Sequence, residues 1–143
     1  MTKKNKKSNI KKMTTKSTPS KTNSKKILII VESPGKIKTI QKICDQVQKD
    51  KYEVIASKGH IADIPHNTKW IDDEVAKKGD ISINYEPLED KTLEIKNIRA
   101  KSKGKQVIIA TDDDREGELI GFNILELLNL PTKTNPRILF NEI

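Results

Sequence analysis

The chain has 143 residues, the size of one ordinary domain, with 28 Lys+Arg against 20 Asp+Glu, a formal charge of +8 and 34% hydrophobic residues. Its longest apolar run, Ile27–Val31, is too short to span a bilayer. The basic N-terminus lacks the apolar core of a secretory signal, and Cys44 stands alone, which excludes an internal disulfide framework or a Cys-based zinc site. The economical expectation is an intracellular protein that does not enter a membrane.

The +8 suggests a basic nucleic-acid binder, but the charge is unevenly placed. Residues 1–26 hold ten Lys and no acid, leaving 18 Lys+Arg against 20 Asp+Glu in residues 27–143. This Lys/Ser/Thr-rich tail has no hydrophobic periodicity and is expected to be disordered in isolation. From Ile27 onward the pattern changes. Ile27–Val31 is a continuous apolar run rich in β-branched residues, as in a parallel strand covered on both faces. Ser33 then reads as an N-cap and Pro34 as a first helical residue, followed by a helical stripe of Ile37, Ile40, Ile43, Cys44 and Val47. A second strand is expected at Tyr52–Ser57, with Gly59 and His60 in the loop after it.

Residues 65–90 are broken by Pro65, Trp70, Gly79 and Pro87, with a short strand expected at Ile81–Asn84. Leu88, Ile95 and Ile98 space a helix over Leu88–Ala100, and Gln106–Ala110 reads as a buried strand. A helix is expected over Glu116–Leu128, a loop over Pro131–Pro136 and a last strand over Arg137–Ile143. This alternation predicts an α/β fold: a mostly parallel four-stranded sheet flanked by helices on both faces. Because the chain stops in or just after its last strand, a piece of a longer protein is expected.

In open parallel sheets, functional groups gather beyond the carboxyl ends of the strands. Two strands here run into acids: Val31 into Glu32, and Ala110 through Thr111 into Asp112-Asp113-Asp114, with Glu116 and Glu118 close behind. Alternation along an extended chain points Asp112 and Asp114 one way and Asp113 the other. Crowded carboxylates either rise in pKa or recruit a cation, and hard oxygen donors without His or Cys favour Mg²⁺, or Mn²⁺, over zinc. The plainer alternative is that the acids serve the next helix, with Asp114 as its N-cap. That accounts for one or two carboxylates but not for three consecutive Asp after an all-apolar strand. Arg115 either neutralises its neighbours or directs a guanidinium at a phosphate.

Val31-Glu32-Ser33-Pro34-Gly35-Lys36-Ile37-Lys38-Thr39-Ile40 resembles the opening strand and helix of the Toprim domain of bacterial-type (type IA) DNA topoisomerase I. Lys58–Pro65 resembles that family's next block, apart from Ala62, where a basic residue is common. Tyr85-Glu86-Pro87 resembles a further one, Ala110–Glu118 its acidic motif and Phe140–Ile143 the strand that follows. The resemblance covers residues 27–143 and implies a Toprim (Rossmann-like) domain behind a Lys-rich tail. It also implies roles. Glu32 would be the glutamate beside the scissile phosphate, a proton donor or acceptor able to reach the metal. Asp112 and Asp114 would hold Mg²⁺, with Glu116 supporting it. Lys36 would approach the phosphate, and His60 would contact DNA, the partner being a single-stranded segment of underwound duplex; Arg115, by its own phosphate-directed reading, is counted with the catalytic residues. Taken alone, Lys36 is a solvated first-turn lysine and His60 an exposed loop residue.

The resemblance further implies ATP-independent relaxation of DNA by single-strand cleavage, passage and religation, in which a tyrosine of a later domain is the nucleophile. Tyr52 and Tyr85 match no such motif, so this chain is not expected to relax supercoils alone. Two other classes stay open: a standalone Toprim phosphotransfer enzyme of primase or nuclease type, and a non-catalytic nucleic-acid-binding remnant. Oligomeric state is not legible. Sequence-independent attraction to DNA is expected to reside largely in residues 1–26. Deleting them should flatten the slope of log affinity against log salt by about 0.9 for each phosphate that is no longer neutralised, measured by fluorescence anisotropy on duplex DNA. An unchanged slope would move that attraction to the folded part.

Overall fold

The computed structural model describes residues 25–66, 77–79 and 83–140. Most of the Lys-rich tail, Trp70, the first residues of the strand expected at Ile81 and the end of the last strand, Asn141–Ile143, lie outside the described residues. A four-stranded parallel sheet of order β2-β1-β5-β6 is formed by β1 (Ile27–Val31), β2 (Tyr52–Ala56), β5 (Gln106–Asp112) and β6 (Arg137–Phe140). Helices α1 (Ile37–Val47), α2 (Thr92–Ser102) and α3 (Arg115–Leu127) cover it. The α/β class and the four-stranded parallel sheet read from the sequence are what the chain adopts.

The apolar run of β1 works because this strand is paired on both sides and covered on both faces. Leu28 and Ile30 join Val107, Ile109, Ile95, Ile98, Ile120 and Ile124 in one core layer, under α2 and α3. Ile29 and Val31 join Val54, Ala56, Ala110 and Ile40 in the other, under α1. Period-two alternation thus divides one strand between two cores. Burying each such side chain contributes roughly 1.5–3 kcal/mol, so the centre of the sheet is the most costly place to disturb.

Helix α1 departs from its expected stripe. Ile40 is buried and Ile37 and Cys44 pack against the sheet, but Ile43 is 54% and Val47 72% exposed. The reason is position. α1 lies over β2, the outermost strand, and its Gln41 reaches over the rim: Gln41 Nε2 donates to the Tyr52 carbonyl at 3.1 Å, and the Val54 N–H donates to Gln41 Oε1 at 3.1 Å. The outer half of the stripe therefore runs past the sheet.

Between β2 and α2 the chain forms a small antiparallel ribbon that sequence pattern did not reveal, β3 (Ala62–Asp63) with β4 (Glu86–Pro87). It joins the Lys58–Pro65 and Tyr85–Pro87 blocks. α2 begins later than expected because Glu89–Lys91 first makes a 3-10 turn. β5 runs two residues beyond Ala110, so Asp112 is the last residue of the strand.

The start of α3 is pressed onto the end of β5. A Cβ on Gly117 would overlap the main-chain carbonyl of Asp112, whose carbon would lie 3.0 Å away. Backbone cannot yield as a flexible side chain can. Gly117→Ala should therefore lower stability by about 1–3 kcal/mol or more in urea unfolding, although alanine is the better helix former. A gain in stability would show that the helix and strand are not in this contact.

Candidate active site

Parallel pairing brings the ends of β1 and β5 together, with Val31 opposite Ala110. Glu32 leaves β1 beside Asp112, the end of β5. The turn after Glu32 is fixed locally: Ser33 Oγ accepts from the Gly35 N–H at 3.3 Å, Pro34 opens a 3-10 turn, and Lys36 N–H returns to the Ser33 carbonyl at 3.2 Å. This turn aims Lys36 back across the strand ends, where its Nζ donates to Asp112 Oδ1.

The loop after β2 is pinned to the same edge. Ser57 N–H donates to the Val31 carbonyl at 2.9 Å and Gly59 N–H to the Glu32 carbonyl at 3.1 Å. Lys58 and Gly59 both adopt positive φ, 58° and 87°. For lysine that conformation carries strain, held here by Lys91 Nζ on the Lys58 carbonyl at 2.9 Å and by Lys58 Nζ on Glu94 at 3.0 Å. The loop delivers His60, whose Nε2 lies 3.4 Å from Glu116 Oε1.

Each acid has a different neighbour. Asp114 is the N-cap of α3, its Oδ1 accepting from Gly117 N–H at 2.7 Å, so the capping alternative holds for this residue. Glu118 takes Arg137 Nη1 at 2.6 Å, which holds its carboxyl below the ordinary range. Glu32 is the exception: its Oε2 is buried without a hydrogen-bond partner. Burial first, then the charge of Asp112, pushes its carboxyl up. Lys36 pulls the other way, and Glu116 and Asp114 add to the rise.

The structure thus brings Glu32, Lys36, Asp112, Asp114, Glu116 and His60 to one edge. Arg115 stands apart: it is exposed, makes no ion pair with the acids of this cluster, and lines a groove with Tyr85, Leu119 and Phe122. Sequence reasoning missed Arg137. Its Nη2 lies 3.4 Å from the buried Thr111 hydroxyl while Nη1 holds Glu118, tying β5 to the first turn of α3. Only its place at the head of a strand beside the acidic one could have suggested this. Lys91 and Glu94, which hold the Lys58 loop, carried no signal.

A family model described as the Toprim domain matches residues 27–143. The chain belongs to the Toprim family. It is 45% identical over 123 residues to DNA topoisomerase 1 of Campylobacter jejuni, covering 83% of this chain and 16% of that protein. Among solved structures it is similar to full-length topoisomerase I of Thermotoga maritima, with TM-score 0.64 and 35% identity over 80% of this chain and 18% of that one. This Toprim chain therefore spans about a sixth of the length of its relatives. No helix among the described residues is long and apolar enough to cross a membrane.

The Toprim acids suit a hard divalent cation in chemistry: oxygen donors only, with an unpartnered carboxylate oxygen on Glu32. They share one edge without closing around a common point. Among the described residues no three His, Cys, Asp or Glu side chains are gathered closely enough to hold a metal ion. Without a cation, the raised Glu32 carboxyl binds its proton more tightly in the folded than in the unfolded chain, so its contribution to stability falls as pH rises from the ordinary glutamate range through the folded-state value. Glu32→Gln should accordingly be more stable than wild type at pH 7 in EDTA, the gap closing below the ordinary glutamate range. Denaturant titrations at a series of pH values give the comparison. A gap independent of pH would remove the electrostatic account.

Proposed function

We propose that this Toprim domain organises the scissile phosphate in a type IA DNA topoisomerase, with Mg²⁺ held by Asp112 and Asp114 and supported by Glu116 and Glu32. The observation that carries the reading is the unpartnered Glu32 carboxylate beside Asp112 at the ends of adjoining parallel strands. A DNA backbone could not approach so anionic an edge without a compensating charge, and Mg²⁺ would supply it while polarising a phosphate oxygen. The similarity to DNA topoisomerase 1 supports DNA as the substrate class.

The chain's own residues divide the work. Glu32, with its raised carboxyl, takes or returns a proton at the bridging oxygen of the phosphodiester. Lys36 offers an ammonium to a non-bridging oxygen, and His60, on its pinned loop, meets the adjoining backbone. Arg115, free of the acid cluster, faces the groove alongside it, where a guanidinium can meet a further phosphate. Neither tyrosine stands at this edge. Tyr52 opens β2 at the far end of the sheet, and the Tyr85 ring packs edge-on against Phe122 at 6.2 Å. The nucleophile of strand cleavage would come from another domain, and relaxation would proceed without ATP.

Calorimetric titration of Mg²⁺ into wild type and Asp112→Asn/Asp114→Asn tests the metal assignment. Asparagine keeps the N-cap at residue 114, so the helix should persist. Affinity should fall at least about tenfold, a loss that even a residue merely supporting a metal ligand commonly causes. Equal affinity would place the cation elsewhere.

A further inference from the structure

We propose that Lys36 is the resident counter-ion of the acid cluster and that a divalent cation enters by displacing it, so that loading the metal and freeing the ammonium for a phosphate are one exchange. This rests on the functional reading above and adds the order of events at Asp112.

Of the interactions that occupy the cluster, only one sets a full positive charge against an incoming cation. The Asp114 carboxylate can keep its bond to Gly117 N–H through one oxygen and still offer the other. Glu116 is mostly exposed and meets only His60. Asp112, by contrast, is held by a full positive charge, and the Lys36 side chain, 19% exposed, is tucked in further than its 38% exposed partner. A Mg²⁺ ion sits about 2.0–2.1 Å from a carboxylate oxygen. An ammonium on the same carboxylate, about 2.7–2.9 Å from its oxygen, keeps a second positive charge within a few ångströms of the ion, and that like-charge repulsion in a partly buried site favours its departure.

The lysine is also built to move. Ser33, Pro34 and the return bond from Lys36 N–H fix the main chain of the turn, so displacement needs only rotations of a flexible four-carbon stem. Once free, the ammonium remains beside Glu32, whose raised carboxyl already feels its charge. Metal-free protein is thereby spared an uncompensated acid cluster, and the charge that compensates it reappears where a phosphate is to be met.

The test uses the whole 143-residue chain. The Lys36 ε-methylene signal in carbon–proton correlation spectra, assigned by its absence in Lys36→Met, is followed during Mg²⁺ addition. It should move to the position it occupies in metal-free Asp112→Asn. By calorimetry, Lys36→Met should bind Mg²⁺ about tenfold more tightly than wild type, within the usual 5–150-fold range of coupling between sites. Lys105→Met, which removes the same charge from an equally buried lysine paired with Glu53, away from the acids, should change the affinity by less than about twofold. If wild type binds Mg²⁺ while the Lys36 signal stays in place, or if both lysine variants tighten binding equally, displacement is wrong and the metal assignment survives. Failure of Mg²⁺ to bind either wild type or Lys36→Met would instead remove the metal assignment, and the exchange with it.

Discussion

Two carboxylates at the ends of neighbouring parallel strands repel each other, and the acidic edge of this domain is arranged around that repulsion. Parallel pairing leaves no choice: β1 and β5 run the same way, in register, so whatever follows their apolar residues must share one edge. Here that is Glu32 and Asp112. A pair of antiparallel strands would have put the same residues at opposite ends of the molecule. The separation of sheet core from polar edge is what allows acids to sit directly against the most deeply buried residues of the fold.

The surrounding structure answers the repulsion piece by piece. Lys36 faces Asp112, a helix N-terminus takes Asp114, Arg137 takes Glu118, and His60 approaches Glu116. Of these acids, only Glu32 is left with an oxygen that is both buried and unpartnered, a condition that folded proteins rarely leave unexplained. The supports come from separate segments of the described residues: the turn after β1, the loop after β2, the first turns of α2 and α3, and the head of β6. Such dispersal suits a site that must be held rigidly, because no single segment can relax without another resisting.

The fold was largely legible because its main elements are governed by local pattern. The β-branched runs, the Ser33-Pro34 entry to α1 and the acid-to-glycine entry to α3 state their structure within a few residues. The β3–β4 ribbon was not legible, since two-residue strands have no periodicity and owe their pairing to a partner more than twenty residues away. The exposure of Ile43 and Val47 was hidden too, for a helical stripe reports an apolar face without reporting how far the opposing sheet extends. At the site, the acids could be found from their crowding, and Glu32, Lys36 and His60 from ordered blocks resembling a known family. Their partners could not. Arg137, Lys91 and Glu94 act through contacts that only tertiary structure creates.

Gln41 gives the sheet a direction of growth. By taking the Tyr52 carbonyl and the Val54 N–H, it fills the main-chain positions that an added strand would need along β2. The opposite border has no such guard among the described residues, and β6 shows Ile138 and Leu139 partly to solvent. A strand contributed from elsewhere would therefore extend the sheet from β6, next to the strand that carries Asp112.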